Sequence, residues 1–408
     1  MKKIVGIIAA AALAASAFAE VNIGSWSRGT FVPFAYDGDD VRVLEGDNWE
    51  GANYAGTGVR TGLGFSASSE NAGVVFDVFG NNTTDTDNWY PTIGDNAYVW
   101  AKPVEVLRLA FGKVDNNLGR ANVCFGNYDH AWRYARLPNG EGIGGSWRGH
   151  GTGANITLTP VEGLVIDYQT GNTKNDYAYN SLFRNADLMI GYTIPDTAFI
   201  RAIINPQKLA GNKDGDDVEN IRFTLAADVW AVENLTLTAA VTVPTVLDGY
   251  TSDWEDADGD TWVYANSVDF GVGAHYNLDP ITIHGFFDGK LQPKEFDDDG
   301  SVKLGEFGFA IAAGVDFKIN DMFTLITDFR FMNDKYEFKG LDATNAITTG
   351  DKSATFGDSA FGAYVGICQQ LTNASFDFGV MLANNYAGVN YTDDSITFAV
   401  PLTMTVSF

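Results

Sequence analysis

From Ile396 to Phe408 every second position is apolar: Ile396, Phe398, Val400, Leu402, Met404, Val406 and Phe408, separated by small or weakly polar residues such as Thr397, Ala399, Thr403, Thr405 and Ser407. Side chains of a strand point alternately to its two faces, so this segment reads as a strand with one apolar face and one polar face. The pattern recurs upstream. Phe307, Phe309, Ile311, Ala313, Val315 and Phe317 alternate with Glu306, Gly308, Ala310, Ala312, Gly314 and Asp316. Ile221, Phe223, Leu225, Ala227 and Val229 alternate with Arg222, Thr224, Ala226 and Asp228, and Phe376, Phe378, Val380 and Leu382 with Asp377, Gly379 and Met381. A slip of one residue would bring charge onto the apolar face, which fixes the register. Nearer the N-terminus, Trp26, Tyr98 and Trp100 fit either face.

About 18 such segments can be laid along the chain, with 16 the next best count. The links between them are short and long in strict turn. The short ones are Ser68 to Ala72, Lys102 to Glu105, Pro160 to Glu162, Pro195-Asp196, Val232 to Asn234, Asn277 to Pro280, Asn320-Asp321 and Leu371 to Asn373. The long ones, rich in Asp, Asn and Gly, are Asp37 to Tyr54, Asn81 to Asp95, Asp115 to His150, Asn172 to Asn185, Asn205 to Asp217, Thr245 to Asp260, Gln292 to Lys303, Tyr336 to Phe356 and Asn384 to Asp394. No repeat of about 40 residues marks a propeller, and no run of about 18 apolar residues marks a spanning helix. The expected fold is therefore all-β: a closed antiparallel transmembrane β-barrel, apolar outside and polar inside, with short periplasmic turns and long extracellular loops.

The two ends sharpen this. Lys2 and Lys3 precede an apolar run from Ile4 to Leu13, and Ala17-Phe18-Ala19 offers small residues for cleavage, which is the pattern of a secretory signal peptide over residues 1–19, leaving 20–408 as the barrel. At the other end the last strand finishes on an aromatic residue, Phe408, with Val406 and Met404 two and four positions behind. In this the chain resembles the outer-membrane β-barrel porins, of the general diffusion or carbohydrate type found in diderm bacteria. The resemblance implies an outer-membrane location reached through the periplasm, contact with outer-membrane lipid and with the barrel assembly machinery, and a water-filled channel. It leaves a homotrimer open.

The formal net charge of −26, from 26 basic and 52 acidic side chains, excludes nucleic acid as a partner. Export would take Cys124 and Cys368 through an oxidising compartment, and their spacing neither demands nor forbids a disulfide.

Candidate chemistry follows from the predicted lumen. The longest link, 115–150, lies where many porins fold a loop inward, and it concentrates Arg120, Arg133, Arg136 and Arg148 with Tyr128, Trp132, Tyr134 and Trp147; it is the candidate constriction. Leu109 to Val114, just before it, resembles a step that often precedes this loop in porins. The lumen-facing parity adds Arg28, Arg60, Arg108, Arg201, Arg222 and Arg330, faced by Asp77, Asp167, Asp187, Asp228, Asp269, Asp288, Asp316, Asp328 and Asp377. Opposed charges across a pore set up a transverse field, and the same residues can equally pair with each other to hold the wall.

Glu295, Asp297, Asp299, Ser301 and Glu306 fall at positions 1, 3, 5, 7 and 12 of an EF-hand-like calcium loop, although Lys303 occupies position 9 and the flanks read as strands. A solvated acidic loop explains the run more simply, so no cofactor is expected beyond a structural calcium in the extracellular loops. His275 and His284 flank the Asn277 to Pro280 turn and read as two solvated lumen histidines, without the third ligand that a zinc site needs. No nucleotide loop, nucleophile elbow or metalloprotease motif is present. The sequence thus favours a porin for passive diffusion of ions and small polar solutes, anions somewhat preferred, over a surface adhesin or structural barrel, and places a barrel hydrolase third.

Overall fold

The structure is a computed structural model. It describes residues 20–36, 40–43, 58–81, 91–114, 118, 151–170, 186–209, 218–245, 250–255, 261–264, 267–296, 302–336, 338–341, 354–384 and 396–408. Eighteen antiparallel strands form one closed barrel, each hydrogen-bonded to its neighbours in the chain, with the last strand pairing back onto the first. They are β1 Glu20–Phe31, β2 Gly58–Ser68, β3 Ala72–Asn81, β4 Pro91–Val104, β5 Leu107–Val114, β6 Gly151–Leu158, β7 Leu164–Gln169, β8 Asp187–Ile194 and β9 Ala198–Leu209. The second half is β10 Val218–Val229, β11 Leu235–Pro244, β12 Val268–Leu278, β13 Ile281–Phe296, β14 Val302–Lys318, β15 Phe323–Met332, β16 Ala360–Gln370, β17 Ala374–Ala383 and β18 Leu402–Ser407. Closure satisfies the backbone groups that a sheet edge would leave bare in lipid. Among the described residues no helix is long and apolar enough to cross a membrane.

The alternation of the sequence becomes the inside and outside of the barrel. Phe223, Leu225, Val241, Val243, Phe270, Val272, Phe307, Val315, Phe329, Val365, Phe378 and Val380 are exposed on the outer face, whereas Thr224, Asp228, Thr238, Thr242, Asp269, Asp328 and Asp377, on the opposite parity, are buried inside. Phe270, Phe287, Phe307, Phe309 and Phe331 touch in a chain across β12 to β15, with centroids 5.8–6.1 Å apart. Such outward aromatics suit the interfacial girdle of a membrane barrel. Bulky rings rest on glycines of the next strand: a Cβ at Gly289 would lie 2.7 Å from Phe270, and one at Gly73 would lie 2.6 Å from Trp100.

All eight expected turns are present. Asp196 and Asn234 take φ of 54° and 63° in two of them, which Asp and Asn tolerate better than most residues. In another, Asn320 Oδ1 accepts from the backbone N–H groups of Met322 and Phe323 at 2.8 and 3.0 Å.

The differences lie on the loop side. β13 and β14 extend through most of the expected Gln292 to Lys303 link, because a register irregularity at Gln292 and Pro293 absorbs the proline and lets Glu295 pair with Lys303. β9 likewise runs on to Leu209, where Asn205 to Asp217 reads as loop. Short strands occur within other expected loops at Val41–Arg42, Tyr250–Glu255, Phe338–Leu341 and Ala354–Phe356, and just outside them at Ala35–Tyr36 and Thr261–Tyr264. The closing strand is not continuous: Thr397–Ala399 and β18 are separated at Val400-Pro401, since Pro401 has no N–H for the ladder. There Val400 N–H turns aside to Phe34 O at 2.9 Å.

Candidate pore lining

All six wall arginines and nine wall aspartates take the inward register. Arg28 stands across from Arg60 and Thr405, Arg108 from Thr157, and Arg330 from Ala312 and Gly362; the Arg60 side chain lies outside the described residues. Trp26, Tyr98 and Trp100 also face inward, as their contacts with Phe79 and Arg108 show.

Several of these groups are tied into the wall. Arg201 Nη1 donates to Asp228 Oδ2 at 2.6 Å, with side chains 0% and 2% exposed, and Thr238 Oγ1 donates to the other oxygen of Asp228. Arg222 Nη2 donates to Asp269 Oδ2 at 3.0 Å. Asn155 Nδ2 and Thr157 Oγ1 donate to Asp167 at 3.1 and 2.8 Å. Asn96 Nδ2 donates to Asp77 at 2.8 Å, and Asn205 Nδ2 to Asp187.

The interior is more closely packed than a bare lumen wall. Asp167, Arg201, Asp228, Asp288, Arg330 and Asp377 are all buried. One cause is visible beyond β15, where the chain does not rise directly into a loop. Asn333 Oδ1 accepts from Phe309 N–H at 2.8 Å and its amide donates to Phe307 O at 2.9 Å, bending the chain inward. Tyr336 is thereby buried against Phe286, Ala310, Ala312, Met332 and Ala360. Its hydroxyl donates to Asp288, its carbonyl accepts from Gln292 Nε2 at 2.9 Å, and Lys290 Nζ sits 4.3 Å from its ring centroid. Burial, and after it the nearby Asp288 carboxylate, push the Tyr336 phenol well above its ordinary value of 10.0. Sequence reading places Tyr336 at the start of an extracellular loop; the polar cap residue Asn333 was the available signal for the inward bend. Packing also corrects the histidines. His275 and His284 stand opposite each other on β12 and β13, rings 5.7 Å apart, and both are buried instead of solvated.

The charges segregate around the ring. The inward positions of β1 to β5 carry Arg28, Arg60 and Arg108 against Asp77, while those of β12 to β17 carry Asp269, Asp288, Asp316, Asp328 and Asp377 against Lys290 and Arg330. In a ring of eighteen, β5 and β14 are nine strands apart and so face each other. Arg108 and Asp316 both lie near the short-turn end of their strands.

Other expected site residues fall as follows. Arg120, Tyr128, Trp132, Arg133, Tyr134, Arg136, Trp147 and Arg148 lie outside the described residues, although the link between β5 and β6 has the bounds expected for it. So does Cys124; Cys368 is half-buried on the inward face of β16. The side chains of Glu295, Asp297, Asp299 and Ser301 are also outside, and Glu306 sits on β14 opposite Gln292, so the span expected as one calcium loop straddles two paired strands. At the closing strand, Met404 and Phe408 are 54% and 76% exposed on the outer face and Val406 is half-buried there. Phe408 bonds Ser25 in both directions, at 2.8 and 3.0 Å.

A closed ring of strands, apolar without and charged within, joined by short turns at one end and long links at the other, defines a membrane-spanning β-barrel of the outer-membrane, porin type. Solved channels share this architecture. The chain is similar to the anion-selective porin from Comamonas acidovorans, with a TM-score of 0.51 and 9% identity over 96% of this chain and 100% of that one. It is equally similar to OpdL of Pseudomonas aeruginosa (TM-score 0.51, 9% identity, 95% and 99% of the two chains) and to the outer membrane protein opdK of the same organism (0.50, 9%, 95% and 99%). No family model matches the sequence, and no curated protein does. At such low identity the likeness carries the fold alone.

Proposed function

We propose that this barrel is a passive channel for ions and small polar solutes, with anions preferred at its narrowest part. The observation that supports this most is the segregation of charge around the interior, with arginines on the β1 to β5 arc facing aspartates on the β12 to β17 arc. A wall that only needed internal pairing would intersperse the two signs. A segregated wall produces a field across the lumen that orients water and polar solutes without any covalent step. In this reading Arg120, Arg133, Arg136 and Arg148 of the long 115–150 link supply the basic constriction. A second reading, a barrel that serves mainly as a surface adhesin or structural protein, draws on the buried state of Arg201, Asp228, Asp288 and Arg330, which leaves part of the interior closed.

Single-channel recording of the refolded barrel under a salt gradient separates them. Discrete conductance steps are expected, with a reversal potential that moves toward cations when the four loop arginines are replaced by glutamine. A correctly folded barrel that stays silent would overturn the channel reading and favour the second.

A further inference from the structure

The inward arginines differ in what neutralises them. Arg201 and Arg222 are paired with Asp228 and Asp269, but among the described residues the Arg108 guanidinium makes no ion pair or hydrogen bond. Its contacts are the rings of Tyr98 and Trp100, whose centroids lie 5.6 and 5.3 Å from Cζ. Cation–π attraction to two rings holds the guanidinium in place while its fork of N–H donors stays available. Gly112 makes room for this arrangement: it lies opposite Tyr98 with φ of 128°, a conformation that side chains rarely adopt.

The guanidinium borders a cavity of about 370 Å³ on the inner face of β4 to β6. Lys102 and Glu105 line it near the β4–β5 turn, and neither is ion-paired among the described residues; Val114 and Leu118 add an apolar part. At ~30 Å³ per water the space corresponds to roughly a dozen waters. Of the other polar residues at its edge, Asn155 and Thr157 are already committed to Asp167, and Tyr98 and Thr159 add a phenol and a hydroxyl. Beside these stand one planar cation with free donors, one flexible cation, one carboxylate and an apolar wall.

We infer that this cavity is a binding site for a small aliphatic monocarboxylate. The carboxylate takes two parallel N–H bonds from Arg108, the geometry that guanidinium matches best, with Lys102 as a second and less directional cation. The alkyl chain lies against Val114 and Leu118. Among the residues that line the cavity, Glu105 reduces the formal charge to a single net positive, which suits a monoanion better than a dianion. The site deepens the channel reading, on which only its role in transport rests; binding itself does not require conduction.

The test uses the refolded full chain with hexanoate as probe, hexanamide as its neutral counterpart and chloride as a simple anion. Calorimetry in detergent and bilayer recording are run on the parent, Arg108→Gln, Arg108→Lys and, as a control away from the cavity, Lys318→Gln, each checked for folding by circular dichroism. Hexanoate is expected to bind with hexanamide silent. Losing the charge-assisted pair should weaken binding about tenfold or more in Arg108→Gln, less in Arg108→Lys, and not at all in Lys318→Gln. In the bilayer, hexanoate should add brief blockades that disappear in Arg108→Gln. Conductance steps without any Arg108-dependent hexanoate binding overturn the site and leave the channel reading intact. Arg108-dependent binding by a silent barrel supports the site and overturns conduction. Absence of both overturns both.

Discussion

Arg201 and Asp228 offer the sharpest test of how the wall is held. Their side chains are 0% and 2% exposed and 2.6 Å apart, so bulk water scarcely screens them. With charge centres about 4 Å apart and an effective dielectric near 20, the attraction is about 4 kcal/mol. The desolvation of both ions opposes this gain, so the pair contributes little net stability compared with two apolar residues. Removing one partner is a different matter, because the other charge is left buried. Arg201→Leu should therefore destabilise the barrel by about 3–5 kcal/mol, and Asp228→Leu by a similar amount, which also strands Thr238 Oγ1. The double variant should recover most of that loss, giving a coupling of about 3 kcal/mol or more. Reversible urea unfolding in detergent or lipid vesicles, followed by tryptophan fluorescence, measures all four corners of the cycle. Single losses that simply add in the double variant would refute the buried-pair account.

Four further outcomes can be checked with the same preparation. Leu225 is exposed on the outer face between Ala202 and Val241, so Leu225→Arg should cost about 2–4 kcal/mol in a bilayer, and an unchanged urea midpoint would mean that the parity is wrong. A Cβ at Gly314 would collide with His284 Nε2 and lie 2.6 Å from Thr327 O, so Gly314→Ala should destabilise by about 1–3 kcal/mol; replacing His284 by alanine in the same chain should relieve only the side-chain part of that cost. Because the Tyr336 phenol is raised above 10.0 when folded, the folded chain holds a proton that the unfolded chain releases above pH 10, and stability should fall as pH rises beyond that point. In Tyr336→Phe that part of the alkaline slope should vanish, and an unaltered slope would count against the buried Tyr336–Asp288 contact. Deleting Phe408 removes two backbone bonds to Ser25, at about 0.5–1.5 kcal/mol each, and should slow closure of β18 on β1 in a gel-shift refolding assay.

How far these features could be read from the sequence depended on whether they repeat locally. Strand parity is written every second residue, and a slip would place Asp228 or Asp316 in lipid, so the inward positions of all the wall charges followed from pattern alone. Turns were equally legible because Asp, Asn and Gly are needed where the chain reverses. Pairing between charges was not, since it depends on register between strands: Arg201 and Asp228 are 27 residues apart, and nothing in either strand alone sets which diagonal neighbour closes the pair. The inward bend at Asn333 was missed for a related reason. Its two backbone contacts are to β14, more than twenty residues earlier, and an isolated Asn before Asp334 and Lys335 reads as an ordinary loop start. Gln292 and Pro293 misled in the opposite direction, because a proline in a strand usually ends it, and here a register irregularity keeps the ladder going.

The chain's large negative charge is compatible with a local net positive charge beside Arg108 once distance is considered. Eighteen strands spaced about 4.8 Å apart and tilted by about 40° enclose a backbone ring roughly 35 Å across. The screening length at physiological ionic strength is about 8 Å. The aspartates of β12 to β17, on the opposite arc, are therefore several screening lengths from Arg108 wherever water fills the gap. They cannot neutralise its charge across that gap. Among the residues that line the cavity only Glu105 carries a negative charge, and Arg108 and Lys102 together outweigh it. The formal charge of the cavity lining is thus a single net positive, carried by Arg108, Lys102 and Glu105, against a chain total of −26. Two arginines of identical parity thus differ in kind: Arg201, with Asp228 in reach, belongs to the wall, whereas the Arg108 guanidinium has, among the described residues, only the rings of Tyr98 and Trp100 against it.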